Sequence, residues 1–178
     1  MTLVSAGPYS VPKWDEVENN GRRGDVGGVF RGVSQLNLDD KGRMSFPSRY
    51  RDRLQAMCGG ELVLTVDPDH CLLIYPLQDW EEIQQKLQRL PSFNAKTRGL
   101  QRLLIGYATD VPMDNNGRIL VPPPLREFAR LERKVVLVGQ GNRFELWDEA
   151  AWNESREVWL AEAAENLADA TELESLSL

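Results

Sequence analysis

Leu38-Asp39-Asp40-Lys41-Gly42-Arg43-Met44-Ser45-Phe46-Pro47 returns farther along the chain as Met113-Asp114-Asn115-Asn116-Gly117-Arg118-Ile119-Leu120-Val121-Pro122. At an offset of 75, Asp39 falls on Asp114, Gly42 on Gly117, Arg43 on Arg118 and Pro47 on Pro122, with three strand-compatible residues between Arg and Pro in each copy. One Asp-x-x-Gly-Arg is an ordinary turn carrying an exposed charge. The same pattern twice in one chain marks an internal duplication. Its chemistry is that of a tight connection presenting a cation. The Asp accepts hydrogen bonds from backbone N–H groups just ahead of it, Gly supplies the positive φ, and the Arg leaves the turn at a fixed place.

The duplication extends beyond this stretch. Glu61–Trp80 aligns with Arg133–Trp152 at an offset of 72, so each copy reads turn, strand, proline-led helix, strand, turn, strand, aromatic, helix. The difference between the two offsets falls in the helix and loop between motif and second strand, where length changes cost least.

Between and around the copies, hydropathy assigns the elements. Phe30–Asn37 is expected as a strand and Arg43–Phe46 as a second. Pro47 is expected at the first helical position, leading Ser48–Met57. Glu61–Val66 and Cys71–Tyr75 form a hairpin, whose apolar run Leu72-Leu73-Ile74-Tyr75 predicts a strand buried on both faces. Leu77, Trp80, Ile83, Leu87 and Leu90 mark one face of a helix over 77–90. Ser92 caps a further helix with Leu100, Leu103 and Leu104 inward and Lys96, Arg98 and Arg102 outward. That basic face is read as solvated, with a phosphate-facing flank as the alternative. In the second copy Pro122-Pro123-Pro124 leads Leu125–Leu131 into a helix, and Asp148–Leu167 forms the last one. Trp152 and Trp159 on its stripe pack on the domain itself or on a neighbouring subunit. Residues 1–28, rich in Gly, Pro and Asn, and the acidic tail beyond 167 show no periodicity that would build a core.

Charge is unevenly placed. The chain has a net charge of -6, yet residues 145–178 hold ten acids against one base, leaving residues 1–144 at +3. Residues 29–60 carry six bases (Arg31, Lys41, Arg43, Arg49, Arg51 and Arg53) against three acids. A mildly basic body with an acidic tail is compatible with nucleic acid, which the net charge alone argues against. Two cysteines and one histidine provide neither a disulfide framework nor a metal knuckle, and a Cys58/His70/Cys71 site lacks a fourth ligand. No nucleophile–base constellation, GxGxxG or P-loop is apparent, so the expectation is a non-enzyme with no cofactor and no metal. No apolar run or leader pattern points to a membrane, and a cytoplasmic protein is expected.

The stretch Phe30–Arg51, F-R-G-V-S-Q-L-N-L-D-D-K-G-R-M-S-F-P-S-R-Y-R, resembles the opening of members of the MraZ family, a tandem branch of the AbrB-like (SpoVT-AbrB) DNA-binding proteins. The likeness continues through Cys71–Trp80, Gln101–Gly106 and Val138–Trp152. It implies a mixed α/β, β-rich fold in which two tandem swapped-hairpin units form one pseudo-symmetric β-barrel core with peripheral helices. The implied organisation is an N-terminal extension (1–28), a first repeat (33–79), a helical connector (80–106), a second repeat (107–150) and an acidic C-terminal helix and tail (151–178). Relatives usually begin Met-Phe-Arg-Gly, matching Val29-Phe30-Arg31-Gly32, so a native start at Val29 is a further expectation.

Function follows from the two turns together. Arg pairs bidentately with guanine O6/N7, Asn with adenine, and Lys fixes phosphates. Lys41, Arg43, Asn115, Asn116, Arg118 and Arg31 are therefore the candidate DNA contacts, with Asp39, Gly42, Asp114 and Gly117 building the turns. The resemblance implies a transcriptional regulator, a repressor of its own division and cell-wall gene cluster, acting on G-rich direct repeats as a ring-like homo-oligomer at the nucleoid. The alternative is a duplicated barrel used for protein assembly without DNA, its arginines paired with acidic surfaces.

Overall fold

The computed structural model describes residues 29–90 and 95–166. Its elements run β1 (Phe30–Asn37), β2 (Arg43–Ser45), α1 (Ser48–Cys58), β3 (Glu61–Val66), β4 (Leu72–Pro76), α2 (Leu77–Gln88) and α3 (Ala95–Leu104) in the first half. The second half follows as β5 (Thr109–Pro112), β6 (Arg118–Leu120), α4 (Pro123–Phe128), β7 (Lys134–Gly141), β8 (Arg143–Asp148) and α5 (Glu149–Asn166). Expectations for residues 1–28, for Ser92 and for the tail beyond 166 lie outside the described residues.

Six antiparallel strands form one sheet in the order β1-β7-β8-β4-β3-β5, and β2 pairs with β6 in a separate two-stranded ribbon. Exchanging each strand for its counterpart reverses the first order and leaves the second unchanged, so both sheets share a pseudo-dyad. It passes between Leu73 and Glu145 in the β4–β8 pair and between Met44 and Ile119 in the ribbon. Strands of one half are flanked by strands of the other: β1 lies on β7, β5 on β3.

The large sheet is open. Its end strands, β1 and β5, are not paired with each other among the described residues, so the expected closed barrel is replaced by a mixed α/β, strand-rich fold with a large antiparallel sheet. The reason lies in strand length and use. β5 has only four residues and β2 and β6 three each, and the latter pair with one another instead of bridging the sheet's ends.

Register corrects the sequence alignment by one residue. Leu62 faces Val111 and Val135 faces Leu36, and Leu36 and Val111 are themselves equivalent. The counterpart of Leu62 is thus Val135, an offset of 73, while the dyad in β4–β8 keeps 72. One residue is absorbed in the hairpin loop, which is longer between β3 and β4 than between β7 and β8.

Both faces of the sheet are covered. Leu62, Leu64, Leu72 and Ile74 point into a core with Val135, Leu137, Phe144 and Leu146, roofed by the ribbon, α1 and α4. Val63, Leu73, Tyr75, Val136, Val138 and Trp147 face a second cluster under α2 and the end of α3. β4 is buried along its whole length, as its apolar run predicts. Leu100 and Leu103, expected inward, are 39% and 38% exposed. Leu104, also expected inward, does pack on the sheet, joined by Ile105, and the Leu104 carbonyl accepts the buried Thr65 hydroxyl at 2.6 Å. Trp152 and Trp159 pack on Trp147 of the domain itself.

Pro47, expected at the first helical position, is instead the N-cap, and α1 begins at Ser48. Pro47, Pro76 and Pro122 are N-caps with ψ of 140, 141 and 143, extended values that aim the following residue into the first turn. Gly59 in the left-handed region ends α1, its N–H reaching the Gln55 carbonyl.

Phe144 is the knot of the larger core, packing its ring against Phe30, Phe46 and Tyr50 with centroids 4.3, 5.3 and 4.9 Å away. Phe144→Ala should lower unfolding free energy by about 3–5 kcal/mol, and urea denaturation followed by fluorescence measures it. A loss below about 1 kcal/mol would show that the two halves do not share this core.

Candidate nucleic-acid interface

The two Asp-x-x-Gly-Arg turns have the same construction. Oδ1 of Asp39 accepts the backbone N–H groups of Lys41 and Arg43, each at 2.9 Å, and Oδ1 of Asp114 accepts those of Asn116 and Arg118 at 2.8 and 2.9 Å. Backbone bonds from Gly42 to Asp39 and from Gly117 to Asp114 close each turn at 2.8 Å. Both glycines take positive φ, 81° and 72°. Asp39 and Asp114 thus cap their turns from the first position, and Gly42 and Gly117 occupy the left-handed one.

Each aspartate also does something its turn role does not require. Its second oxygen accepts Nε–H of the arginine in the same turn, at 2.7 Å for Arg43 and 2.9 Å for Arg118. Arg43 brings Nη2 to the same Oδ2 at 2.7 Å. The guanidiniums therefore have carboxylate mates, yet they stay at the surface, with side chains 41% and 42% exposed. Bound along the Nε side, each guanidinium keeps N–H groups at its outer edge, the edge by which arginine meets a planar pair of acceptors. The Arg43 guanidinium and backbone N–H hold the Asp39 carboxyl down to about 2 from an ordinary 3.8. Asp114 is lowered chiefly by the Arg118 backbone N–H and then by its side chain.

The ribbon brings the two turns together. Arg43 lies opposite Leu120 and Ser45 opposite Arg118, around the central pair Met44 and Ile119. Met44 and Ile119 are 1% exposed and point into the core, so the strand alternation puts Arg43, Ser45, Arg118 and Leu120 on the outer face. Arg43 and Arg118 are then diagonal neighbours, a relation that separates Cβ atoms by about 7–8 Å. Both line one open groove of about 420 Å³, walled by the end of β1 and by Arg133.

Lys41, Asn115 and Asn116 occupy the exposed turn tips, as expected. Arg31 is not brought to the ribbon. It lies near the opposite end of β1, exposed, its carbonyl accepting the Tyr50 hydroxyl at 2.7 Å. Three arginines were missed by reading the motif alone. Arg126 of α4 lies over Gly42, and Arg51 of α1 lies over Gly117 while donating Nε–H to the Phe46 carbonyl at 2.7 Å. A Cβ on either glycine would overlap the arginine reaching over from the other half. The signal was in the chain, since Arg51 and Arg126 are also 75 apart. Arg133, the third, enters because its carbonyl accepts the Leu38 N–H, a long-range bond that no local pattern announces.

Two outcomes test this construction. Arg43→Gln should return the Asp39 titration from about 2 toward 3.8, followed by carboxyl chemical shifts. A carboxyl with lowered folded pKa stabilises above its unfolded value and loses that contribution as pH falls through the folded one. The wild-type turn should therefore hold down to about pH 2 and the variant should loosen near pH 4. Gly42→Ala should destabilise more than Gly59→Ala, for which left-handed strain of about 1–2 kcal/mol is the whole cost, because Gly59 has open space where Gly42 has Arg126. Equal losses in thermal unfolding would mean that Arg126 yields freely.

The comparisons with known proteins agree with this geometry. The model of the MraZ protein family matches the chain twice in tandem, over residues 29–103 and 104–174. The chain is similar to the "Transcriptional regulator MraZ" of Thioalkalivibrio sulfidiphilus, 57% identical over 84% of this chain and 100% of that protein. The protein of the same name from Halorhodospira halophila is 59% identical over 84% of this chain and all of its own length. That of Pseudomonas aeruginosa is 54% identical over 75% and 89%. Two tandem matches, each holding one Asp-x-x-Gly-Arg turn, and relatives at this identity place the chain in the MraZ family.

Proposed function

We propose that this chain is a sequence-specific DNA-binding regulator of transcription, and that Arg43 and Arg118 read guanines from the outer face of the ribbon. The carrying observation is the geometry of the paired turns: two exposed guanidiniums side by side, each steadied at Nε by an aspartate, Arg43 at Nη2 as well, with the outer N–H groups left for a ligand. A guanidinium fixed in this way matches guanine O6 and N7 and loses little side-chain entropy on binding. Lys41 serves a phosphate, and Asn115 and Asn116 suit an adenine or a sugar beside the second turn. The names of the relatives, transcriptional regulators, point the same way.

The finer architecture in this reading is a swapped pair of hairpin units, residues 33–79 and 107–150, with 80–106 as connector. It is supported by the strand order, in which β1 and β2 of one half lie on β7 and β6 of the other. The target is a set of G-rich direct repeats in the promoter of the chain's own division and cell-wall cluster, where binding represses. One ribbon is too small for the roughly 1,000 Å² of a specific DNA interface. A ring-like homo-oligomer spanning several boxes supplies the remainder. No helix among the described residues is long and apolar enough to cross a membrane, and the working place is the cytoplasm, at the nucleoid.

Fluorescence anisotropy with fragments of the chain's own promoter, intact and with the G-rich boxes scrambled, tests the reading at two salt concentrations. Arg43→Ala and Arg118→Ala should each cost about 1–3 kcal/mol on intact boxes and little on scrambled ones. Arg43→Lys should not restore the preference, because an ammonium lacks the fork. Indifference of the wild-type protein to box sequence would overturn the proposal in favour of a protein-assembly role.

A further inference from the structure

The pseudo-dyad makes the ribbon nearly blind to direction, but the surface beside it is strongly one-sided. Arg49 and Arg53 project from α1 along β1, and Arg31 lies on β1 itself, all three exposed. Arg49 donates to the Ser34 hydroxyl at 2.7 Å and stacks over the Tyr50 ring, its guanidinium carbon 4.7 Å from the centroid. Arg53 donates to the Val29 carbonyl at 2.9 Å and lies 5.3 Å from the centroid of Phe30. Among the described residues none of these arginines forms an ion pair, whereas Arg43 and Arg118 do. Arg49 and Arg53 are held in place by neutral acceptors and ring faces, which orient a guanidinium without cancelling its charge.

Their counterparts at the offset of 75 carry no charge. Arg31 corresponds to Gly106, Arg49 to Pro124 and Arg53 to Phe128. At these positions the other flank of the ribbon offers glycine, proline and an aromatic, with the exposed Arg102 beside Gly106 and Pro124 as its cation, where this one offers Arg49 and Arg53. The cationic line is also continuous with the guanidinium groove. Gln35, which lines that groove, is followed in order toward the strand's start by Ser34 with Arg49 and by Val29 with Arg53. Eight residues of strand cover about 26 Å, the length of roughly seven or eight phosphate steps at 3.4 Å per nucleotide.

We infer that Arg49 and Arg53 form a phosphate track along the ribbon-side face of β1 that fixes the direction in which the ribbon sits on duplex DNA; Arg31, which alternates onto the other face of the strand with Val33 and Gln35, is not part of it. The inference rests on the reading of the ribbon as a DNA interface. Its chemistry is sequence-independent: the ribbon selects the box, and the track holds the backbone on one flank only. A repeated box read in one orientation by successive subunits is favoured by such a device, because the two arginines related by the dyad would by themselves accept each box either way round, leaving only the differing turn tips to tell the directions apart.

The track can be tested with Arg49→Gln/Arg53→Gln in the full-length chain, using duplexes from its own promoter cut to a single G-rich box and trimmed on one side or the other. With wild-type protein, trimming one flank should weaken binding and trimming the other should not. In the double variant the two trims should become equivalent, the slope of log K against log salt should become shallower by about 2, and the preference for intact over scrambled boxes should remain. Unfolding is monitored by circular dichroism, and Arg49→Lys/Arg53→Lys keeps the charge while losing the guanidinium geometry. Recovery of slope and flank asymmetry in the lysine variant supports the track. A folded lysine variant as deficient as the glutamine one shows that the arginines only buttress the edge of β1 and overturns it. So does wild-type protein that prefers the box but has no flank asymmetry, or a glutamine variant with unchanged slope. Wild-type protein that ignores every duplex overturns the DNA-binding reading itself, a result distinguishable from the others.

Discussion

Everything in this molecule depends on the fact that neither half can satisfy its own strand edges. β7 is closed on one side by β1 of the first half, and β3 by β5 of the second. β2 and β6, three residues each, have no strand partner but each other among the described residues. A three-residue strand has almost no stability of its own. The ribbon persists because Met44 and Ile119 are driven into the common core beneath it, and because its ends are sewn across the dyad. Phe46 N–H reaches the Gly117 carbonyl at 2.8 Å, and Val121 N–H reaches the Gly42 carbonyl at 2.9 Å. The bonds that unite the halves are thus the bonds that set the two turns, and the separation of Arg43 from Arg118 is fixed by folding before any ligand arrives.

The turn electrostatics strike a balance. An aspartate 2.7 Å from Arg43 offsets part of the charge that would attract phosphates, so these arginines are poor instruments for long-range attraction. They gain orientation in return. Arg31, Arg49 and Arg53 have the opposite character, since no carboxylate is paired with them. In a chain of net charge -6, this division matters: attraction to a polyanion must come from a local patch of unpaired cations, while selectivity can be left to cations whose charge is partly spent on being held still.

Much of this was legible in the chain because the duplication repeats chemistry and not only hydropathy. Asp, Gly and Arg at fixed spacing can do little except build a turn and present a guanidinium, and the structure has both turns in that form. β1, β3, α1 and the double burial of β4 followed from periodicity and punctuation. What escaped depends on contacts between distant residues. The register of β3 relative to β7 slips by one because β1 and β5 dictate it, and an alignment of two apolar runs cannot see its partners. Of the expected inward stripe Leu100, Leu103 and Leu104, the sheet takes only Leu104, and adds Ile105. Arg51 and Arg126 were visible as a repeat yet had no legible purpose until the opposite turn was folded beneath them.

The two faces of the sheet have diverged unequally, and the inequality follows from their tasks. On the ribbon side, the counterparts Arg43 and Arg118, Met44 and Ile119, Arg51 and Arg126 hold equivalent places, because the dyad runs through that face and any unilateral change would displace a turn. On the far side, each half keeps one aromatic staple between its last strand and the helix after it, Tyr75 with Trp80 and Trp147 with Trp152. Beyond the staple the halves differ: the first adds α3, tied down through Thr65, and the second lengthens α5 and adds Trp159. The strands of both halves still meet in one cluster on that face, Val63, Leu73 and Tyr75 with Val136, Val138 and Trp147, so the divergence lies in the helices laid over it while the near face stays two-fold.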